Sequence, residues 1–172
     1  MTSQTFTICP ANVGDAATIA WHRRAMFRAM GFEDGGDLKT MEDKFRAWVT
    51  VRLSRGEYLG WLATDDQGTV VAGAGMWIIQ WPPHPTDLSE RRAYILNVYT
   101  EPAFRLRGLA RRLTRTILDW CRDHEIKTVT LHASKEGHAL YESLGFRQTN
   151  EMRFQSGPDE FETNKVVVYE QR

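Results

Sequence analysis

Apolar positions along this chain change period several times, and each change marks an element. In "NVGDAATIAWHRRAMFRAM" (12–30), Ala16, Ile19, Ala20, Met26, Phe27 and Met30 recur at helical spacing. Asn12 stands where an N-cap belongs, and Asp15 three residues later completes a capping box. "GFEDGGD" ends that helix, and a second is predicted from about Leu38 to Leu53. A third, from Gly108 to about His124, carries the stripe Leu109, Leu113, Ile117, Trp120 and Cys121. A short fourth covers "EGHALYESL" (136–144), with Gly145 as its C′ residue.

Between the helices the pattern becomes strand-like. Strands are predicted over 4–9, 58–65, 69–81, 91–100, 126–133, 146–154 and 165–170. "DDQG" (65–68) is a hairpin turn, "PPHPTD" a forced loop, and "QSGPDEFETN" a loop between the last two strands. Gly73 and Gly75 share one face of their strand, which predicts a helix packed closely above them. The run Tyr94, Ile95, Leu96, Val98 and Tyr99 lacks clean alternation, as in a strand covered on both faces. Strand 91–100, helix 108–124 and strand 127–132 form a parallel, right-handed crossover. The expected fold is α+β with α-β-α layers and a mixed, mostly antiparallel central sheet, built as one domain over 1–172.

Composition supports an ordinary globular chain: 172 residues, 42% hydrophobic and 26% charged. No apolar run is long enough to span a bilayer, and the N-terminus lacks a basic region followed by an apolar one. Cys9 and Cys121 lie far apart without metal or redox spacing, and are expected to be reduced core residues of a cytoplasmic protein. No metal site is expected. Net charge is zero, which argues against a nucleic-acid partner.

Against that neutral background, "AFRLRGLARRLTR" (103–115) carries five arginines at a helix start. That end is already positive, so cations there repel it. The first backbone N–H groups of a helix lack intrahelical partners, and a glycine lets a ligand approach them. Such a mouth binds anions, phosphate above all, and the arginines then gain charge-assisted hydrogen bonds. The loop matches neither Gly-x-x-x-x-Gly-Lys-Ser/Thr nor Gly-x-Gly-x-x-Gly. It matches Arg/Gln-x-x-Gly-x-Gly/Ala as Arg105–Leu106–Arg107–Gly108–Leu109–Ala110.

With "NVYTEP" before this motif and "ALYESLGF" some thirty residues after it, the chain resembles the GNAT superfamily of acyl-CoA-dependent N-acyltransferases. The resemblance runs from "TICPANVGDAATIAWHRRAMF" to "LYESLGFRQTNEMRF". It implies that acetyl-CoA is the co-substrate, with its pyrophosphate on the amides of Arg105–Ala110 and beside Arg111. It implies that strands 91–100 and 127–132 splay at their carboxyl ends. The pantetheine arm would lie in that gap, along Asn97, Val98, Tyr99 and Thr100.

Acetyl transfer needs a deprotonated amine, a stabilised oxyanion and a protonated leaving thiolate. Tyr141 resembles the family's thiolate-protonating tyrosine, and Ser134 a residue that touches CoA. Many relatives carry a glutamate on the strand matching 91–100; "YILNVY" offers none. Asn97 there either orients an acceptor or thioester, or satisfies backbone at a bulge. Glu101, beside Pro102, reads as a loop residue. His84, His132 and His138 are the titratable alternatives, and an amine deprotonated through water needs no side-chain base. Phe27, Trp48, Trp77 and Trp81, with acids Glu33, Asp34, Asp37, Glu42 and Asp43, lie in segments that form the family's acceptor pocket. They suit either a cationic amine or, more plainly, a core and a solvated acidic turn.

The expected activity is N-acetyl transfer to a primary amine, of a small molecule first and of a peptide or protein second. A catalytically silent acyl-CoA-binding sensor is the alternative from another class. The expected partners are acetyl-CoA and an amine, with no nucleic acid or membrane. Whether the 155–172 tail closes the sheet or pairs in a homodimer stays open.

Overall fold

A computed structural model describes residues 5–154 and 156. Strand β1 is Thr7–Pro10, helix α1 Ala16–Ala29, helix α2 Gly36–Arg55 and strand β2 Tyr58–Thr64. Strands β3 (Val70–Gln80) and β4 (Arg91–Thr100) follow, then helix α3 (Leu109–Asp123), strand β5 (Val129–Leu131) and helix α4 (His138–Glu142). Short 3-10 turns occupy Val13–Asp15 and Pro102–Phe104. The chain divides into two compact units, Met1–Leu131 and His132–Arg172.

The first unit holds a five-stranded sheet in the order β1-β2-β3-β4-β5. Three neighbouring pairs are antiparallel, and β4–β5, joined through α3, is parallel. The hairpin between β2 and β3 closes where Asp65 Oδ1 accepts from the Gln67 and Thr69 amides, at 3.0 and 2.9 Å. Asn12 and Asp15 form the expected capping box: Asn12 Oδ1 accepts from Gly14 N and Asp15 Oδ2 from Asn12 N, each at 2.8 Å.

Successive residues of β3 face opposite sides of the sheet. Met76 meets Cys121 of α3, whose thiol donates to its sulfur at 3.5 Å, while the Trp77 ring packs on Trp48 of α2 at 5.4 Å. Helices α2 and α3 therefore cover opposite faces. Burial leaves Leu109, Leu113, Ile117 and Cys121 of the predicted α3 stripe in the core, and adds Thr114. Thr114 is tolerated there because its hydroxyl donates to the Ala110 carbonyl at 2.8 Å. Strand β4 has no exposed residue from Arg92 to Thr100, as expected of a strand covered on both faces.

Several expectations change. Residues 146–154 form no strand. The predicted strand at 126–133 shrinks to Val129–Leu131. Cys9 is exposed rather than buried, because β1 lies at the sheet's edge; Cys121 is buried, and burial pushes its thiol up to about 11. Met30 lies just past α1 and is exposed, and the helix's buried face instead includes His22 and Ala25. The predicted final strand, 165–170, and its preceding loop, 155–164, lie outside the described residues except for Ser156.

In the second unit, α4 ends in a Schellman motif. Phe146 N donates to Tyr141 O at 3.1 Å and Gly145 N to Glu142 O at 2.9 Å, with Gly145 at φ +94° in the C′ position predicted for it.

Candidate functional site

The turn from β4 into α3 carries the arginine-rich motif. The Pro102–Phe104 turn lifts the chain off β4, Leu106 takes φ +61° and is wholly exposed, and Gly108 takes φ +77° just before the helix. The first intrahelical bond is Arg112 N to Gly108 O at 3.0 Å. The amides of 108–111 precede it and have no acceptor within the helix. A Cβ at Gly108 would meet nothing within 4 Å among the described residues, so their side chains leave this bend open.

Of the five arginines, Arg112 is structural: its Nη2 donates to the Phe6 carbonyl at 3.0 Å. Arg105 and Arg107 are exposed, and each donates to a backbone carbonyl. Arg105 Nε reaches Thr100 O at 3.2 Å, and Arg107 Nη2 reaches Ala103 O at 3.3 Å. A hydrogen bond to a carbonyl leaves the guanidinium's charge in place, and the Arg107 guanidinium also lies over the Phe104 ring at 5.3 Å. Arg111 is half-buried, and the Leu109 side chain is in the core, which leaves Leu109 only its amide to offer.

Strands β4 and β5 stay together for three residue pairs, from Ala93–Val129 to Ile95–Leu131. Strand β4 then runs on to Thr100 without β5 beside it. Val98, Tyr99 and Thr100 lie on this extension. Tyr99 is buried, and its ring packs against His22 and Trp21. On the other side of β4 the pairing jumps from Gly73–Tyr99 to Gly75–Leu96, so Asn97 and Val98 together oppose Ala74. This is a β-bulge, and Asn97 occupies it at φ +58°, a conformation asparagine tolerates better than most residues.

Asn97 is buried, and both ends of its amide are engaged. Its Oδ1 accepts from Arg23 Nη1 at 2.8 Å, and its Nδ2 donates to the Tyr58 hydroxyl at 3.1 Å. Burial pushes the Tyr58 phenol up to about 12, so it stays protonated. Tyr58 reaches Asn97 by crossing Gly75, where any Cβ would collide with its hydroxyl. The close approach above Gly73 comes equally from His22 of α1, as expected, and from Leu62 of β2, while that above Gly75 comes from Tyr58 of β2 alone. Burial also lowers His22 to about 4, which keeps it neutral near pH 7.

Arg23 opens into a cleft of about 680 Å³. Its aromatic lining is Phe45, Trp48, Trp77 and Tyr94; its charged lining is Arg23, Asp37 and Lys44. Tyr94 and Leu96 bring β4 to the cleft on either side of Ile95, where β5 pairing ends. The cleft therefore adjoins the opened part of the sheet. Most acids of the 33–43 segment do not line it. Asp34 pairs with Arg24 and Arg28, Glu42 with Arg24, and Asp43 with Lys39.

Within the second unit, Ser134 and Tyr141 meet around Gly137. Ser134 Oγ accepts from Gly137 N at 3.2 Å, and a Cβ at Gly137 would lie 3.0 Å from the Tyr141 ring. Tyr141 packs on Phe146, and burial pushes its phenol up to about 12. The candidate histidines engage near neighbours. His84 meets Thr86 at 2.8 Å, His132 accepts from Arg153 at 3.0 Å, and His138 lies 3.5 Å from Glu142.

Sequence reading missed Arg23 and Tyr58. A signal for Arg23 was present: it stands four residues after Ile19 and three after Ala20, in the middle of the apolar stripe of α1. Nothing in the sequence marks Tyr58 as the partner of Asn97.

A parallel crossover that opens beside a glycine-bearing helix start, on a mixed α+β sheet, is an architecture shared with known acetyltransferases. The sequence profile of the acetyltransferase (GNAT) family matches residues 17–146, and the chain belongs to that family. A GCN5-related N-acetyltransferase from Ralstonia eutropha JMP134 superposes with a TM-score of 0.82 at 36% identity, covering 88% of this chain and 98% of that one. A predicted acetyltransferase from Clostridium acetobutylicum, solved with acetyl-CoA, has the same fold: TM-score 0.80 at 24% identity, over 88% and 96% of the two chains. Homo sapiens N-acetyltransferase 8 is 29% identical over 98 residues, 55% of this chain. That match spans 40% of the human protein, well under half its length. Among the described residues no helix is long and apolar enough to cross a membrane.

Proposed function

We propose that residues 1–172 act as one N-acetyltransferase domain that moves acetyl from acetyl-CoA to a primary amine of a small molecule. The observation that carries this reading is the opening of β4 from β5 after Ile95–Leu131, set between the bare Gly108 turn and the aromatic cleft. Two substrates could then meet at one strand, and holding them in line supplies much of the acceleration.

In this reading the amides of 108–111 hold the pyrophosphate, with Arg105, Arg107 and Arg111 around it. Strand β4 from Asn97 to Thr100 pairs with the pantetheine amides, which requires Arg105 to release the Thr100 carbonyl. The neutral amine attacks the thioester carbon and forms the C–N bond. The tetrahedral oxyanion collapses and breaks the C–S bond. The thiolate takes a proton from Tyr141, the amine's surplus proton leaves to solvent, and solvent reprotonates the tyrosinate. A phenol held near 12 is a donor that never empties at neutral pH. Asn97, with both amide ends engaged, is a positioning residue and not a base. Ser134 contacts CoA. The reaction belongs in the cytoplasm, away from membrane and nucleic acid.

Titration of acetyl-CoA by calorimetry, followed by thiol release over an amine panel, tests this. Tyr141→Phe should lower turnover by about a hundredfold or more with CoA affinity nearly unchanged. Binding of CoA without turnover on any amine would replace the enzyme reading with the sensor reading.

A further inference from the structure

Resting on the acetyltransferase reading, the cleft itself narrows the acceptor. Arg23 is half-buried in its wall, and its guanidinium carbon lies over the rings of Phe45 and Phe27 at 4.7 and 5.0 Å. The rings and the Asn97 bond hold the cation in place, and among the described residues Asn97 is the hydrogen-bond acceptor its guanidinium reaches. Among the described residues no carboxylate pairs with it, and burial lowers its affinity for its own proton. Every neighbouring arginine of α1 has an acid partner: Arg24 pairs with Asp34 and Glu42, and Arg28 with Asp34. A cation held rigidly in an apolar, partly dry wall is costly unless an anion completes it.

We propose that the acceptor is a free α-amino acid with a bulky apolar or aromatic side chain, its carboxylate held in the plane of the Arg23 guanidinium. The side chain packs among Phe45, Trp48 and Trp77, in a cleft of about 680 Å³ that matches a small ligand. The α-amine then lies one bond from the carbon that bears the anchored carboxylate, beside the strand that carries the thioester. A polyamine is disfavoured, because Arg23 and Lys44 outnumber Asp37 as charges in the lining. The step stays balanced: one C–N bond forms, one C–S bond breaks, the thiolate gains a proton and the attacking nitrogen loses one.

The experiment measures kcat/KM with acetyl-CoA for L-phenylalanine, L-phenylalaninamide, phenethylamine and spermidine. Phenylalanine should exceed the amide and phenethylamine by roughly tenfold or more, the value of one charge-assisted carboxylate pair. Arg23→Gln should bring that ratio close to one, chiefly through KM, and Arg23→Lys should restore part of it. As a binding readout, N-acetyl-L-phenylalanine with CoA should quench Trp48 and Trp77 fluorescence at lower concentration than N-acetylphenethylamine does. Equal use of phenylalanine and phenethylamine by the wild-type enzyme, preference for spermidine, or turnover of phenethylamine with none of phenylalanine would overturn the acceptor inference alone. Failure of acetyl-CoA to bind would instead overturn the enzyme reading beneath it.

Discussion

Two arginine-bearing regions meet at β4, and they are built on opposite plans. At the α3 entrance Arg105 and Arg107 are exposed on a turn, Arg105 donating to the Thr100 carbonyl and Arg107 to the Ala103 carbonyl with its guanidinium over the Phe104 ring. At the cleft a single arginine, Arg23, is held by a buried asparagine, which is held in turn by a buried tyrosine. The first plan suits capture. Several exposed cations beside a helix start would attract a large, highly charged group together, and the loss of one would be shared by the rest. The second suits discrimination. One fixed donor fork accepts a ligand only when a planar anion arrives at the right distance. The difference predicts that substitutions near Arg23 damage the fold, whereas those at the turn damage only binding.

The largest effect should come from Gly75→Ala. The added methyl collides with the Tyr58 hydroxyl, and a buried tyrosine in a packed sheet has little freedom to move. Destabilisation of about 3 kcal/mol or more is expected in urea unfolding. A loss under 1 kcal/mol would mean that the cleft side is no more rigid than the turn.

Next is the pH dependence of His22, buried beside Gly73 on the same side. Folding lowers its pKa from 6.5 to about 4. Between those values the unfolded chain holds a proton that the folded chain refuses. Stability is therefore complete above pH 6.5, falls as pH drops, and levels off near pH 4. The loss is on the order of 3 kcal/mol. Urea midpoints of the wild type and His22→Gln across pH 4–7 should differ in slope, and parallel curves would remove His22 from the acid response.

Asn97→Ala should cost about 2 kcal/mol, because it strands the Arg23 donor and the Tyr58 hydroxyl and places alanine at positive φ. It should also raise KM for an anionic acceptor more than it changes CoA affinity. The reverse pattern would attach Asn97 to the CoA side of the strand.

The smallest change in stability belongs to the double substitution of Arg105 and Arg107 by alanine, within about 0.5 kcal/mol. Its signature is different: CoA affinity should fall by roughly tenfold at low ionic strength, and by less as salt rises. Unchanged affinity at every salt concentration would break the comparison at its other end.

The turn could be read from sequence because its parts are contiguous. Five arginines, a glycine and an apolar stripe within one short stretch specify a strand, a bend and a helix by local rules alone. The capping box of Asn12 and Asp15 and the Gly145 C′ position were legible for the same reason. Residues 146–154, with Phe146, Thr149 and Phe154, suit a strand locally yet form none, because a strand depends on a paired neighbour that local sequence does not record. Residue type alone places Cys9 in the core, and only the order of strands shows that β1 is an edge.

The sequence by itself determined the helix starts and stops, the crossover and the arginine-rich glycine turn, since hydrogen bonds and charges within a few residues decide those. Tertiary structure alone decided the Arg23–Asn97–Tyr58 chain and the cleft beside it. Those residues lie 74 and 39 positions apart along the chain, and no local propensity records which distant side chain will satisfy a buried amide. Only packing, by removing water from Asn97, obliges it to find both partners.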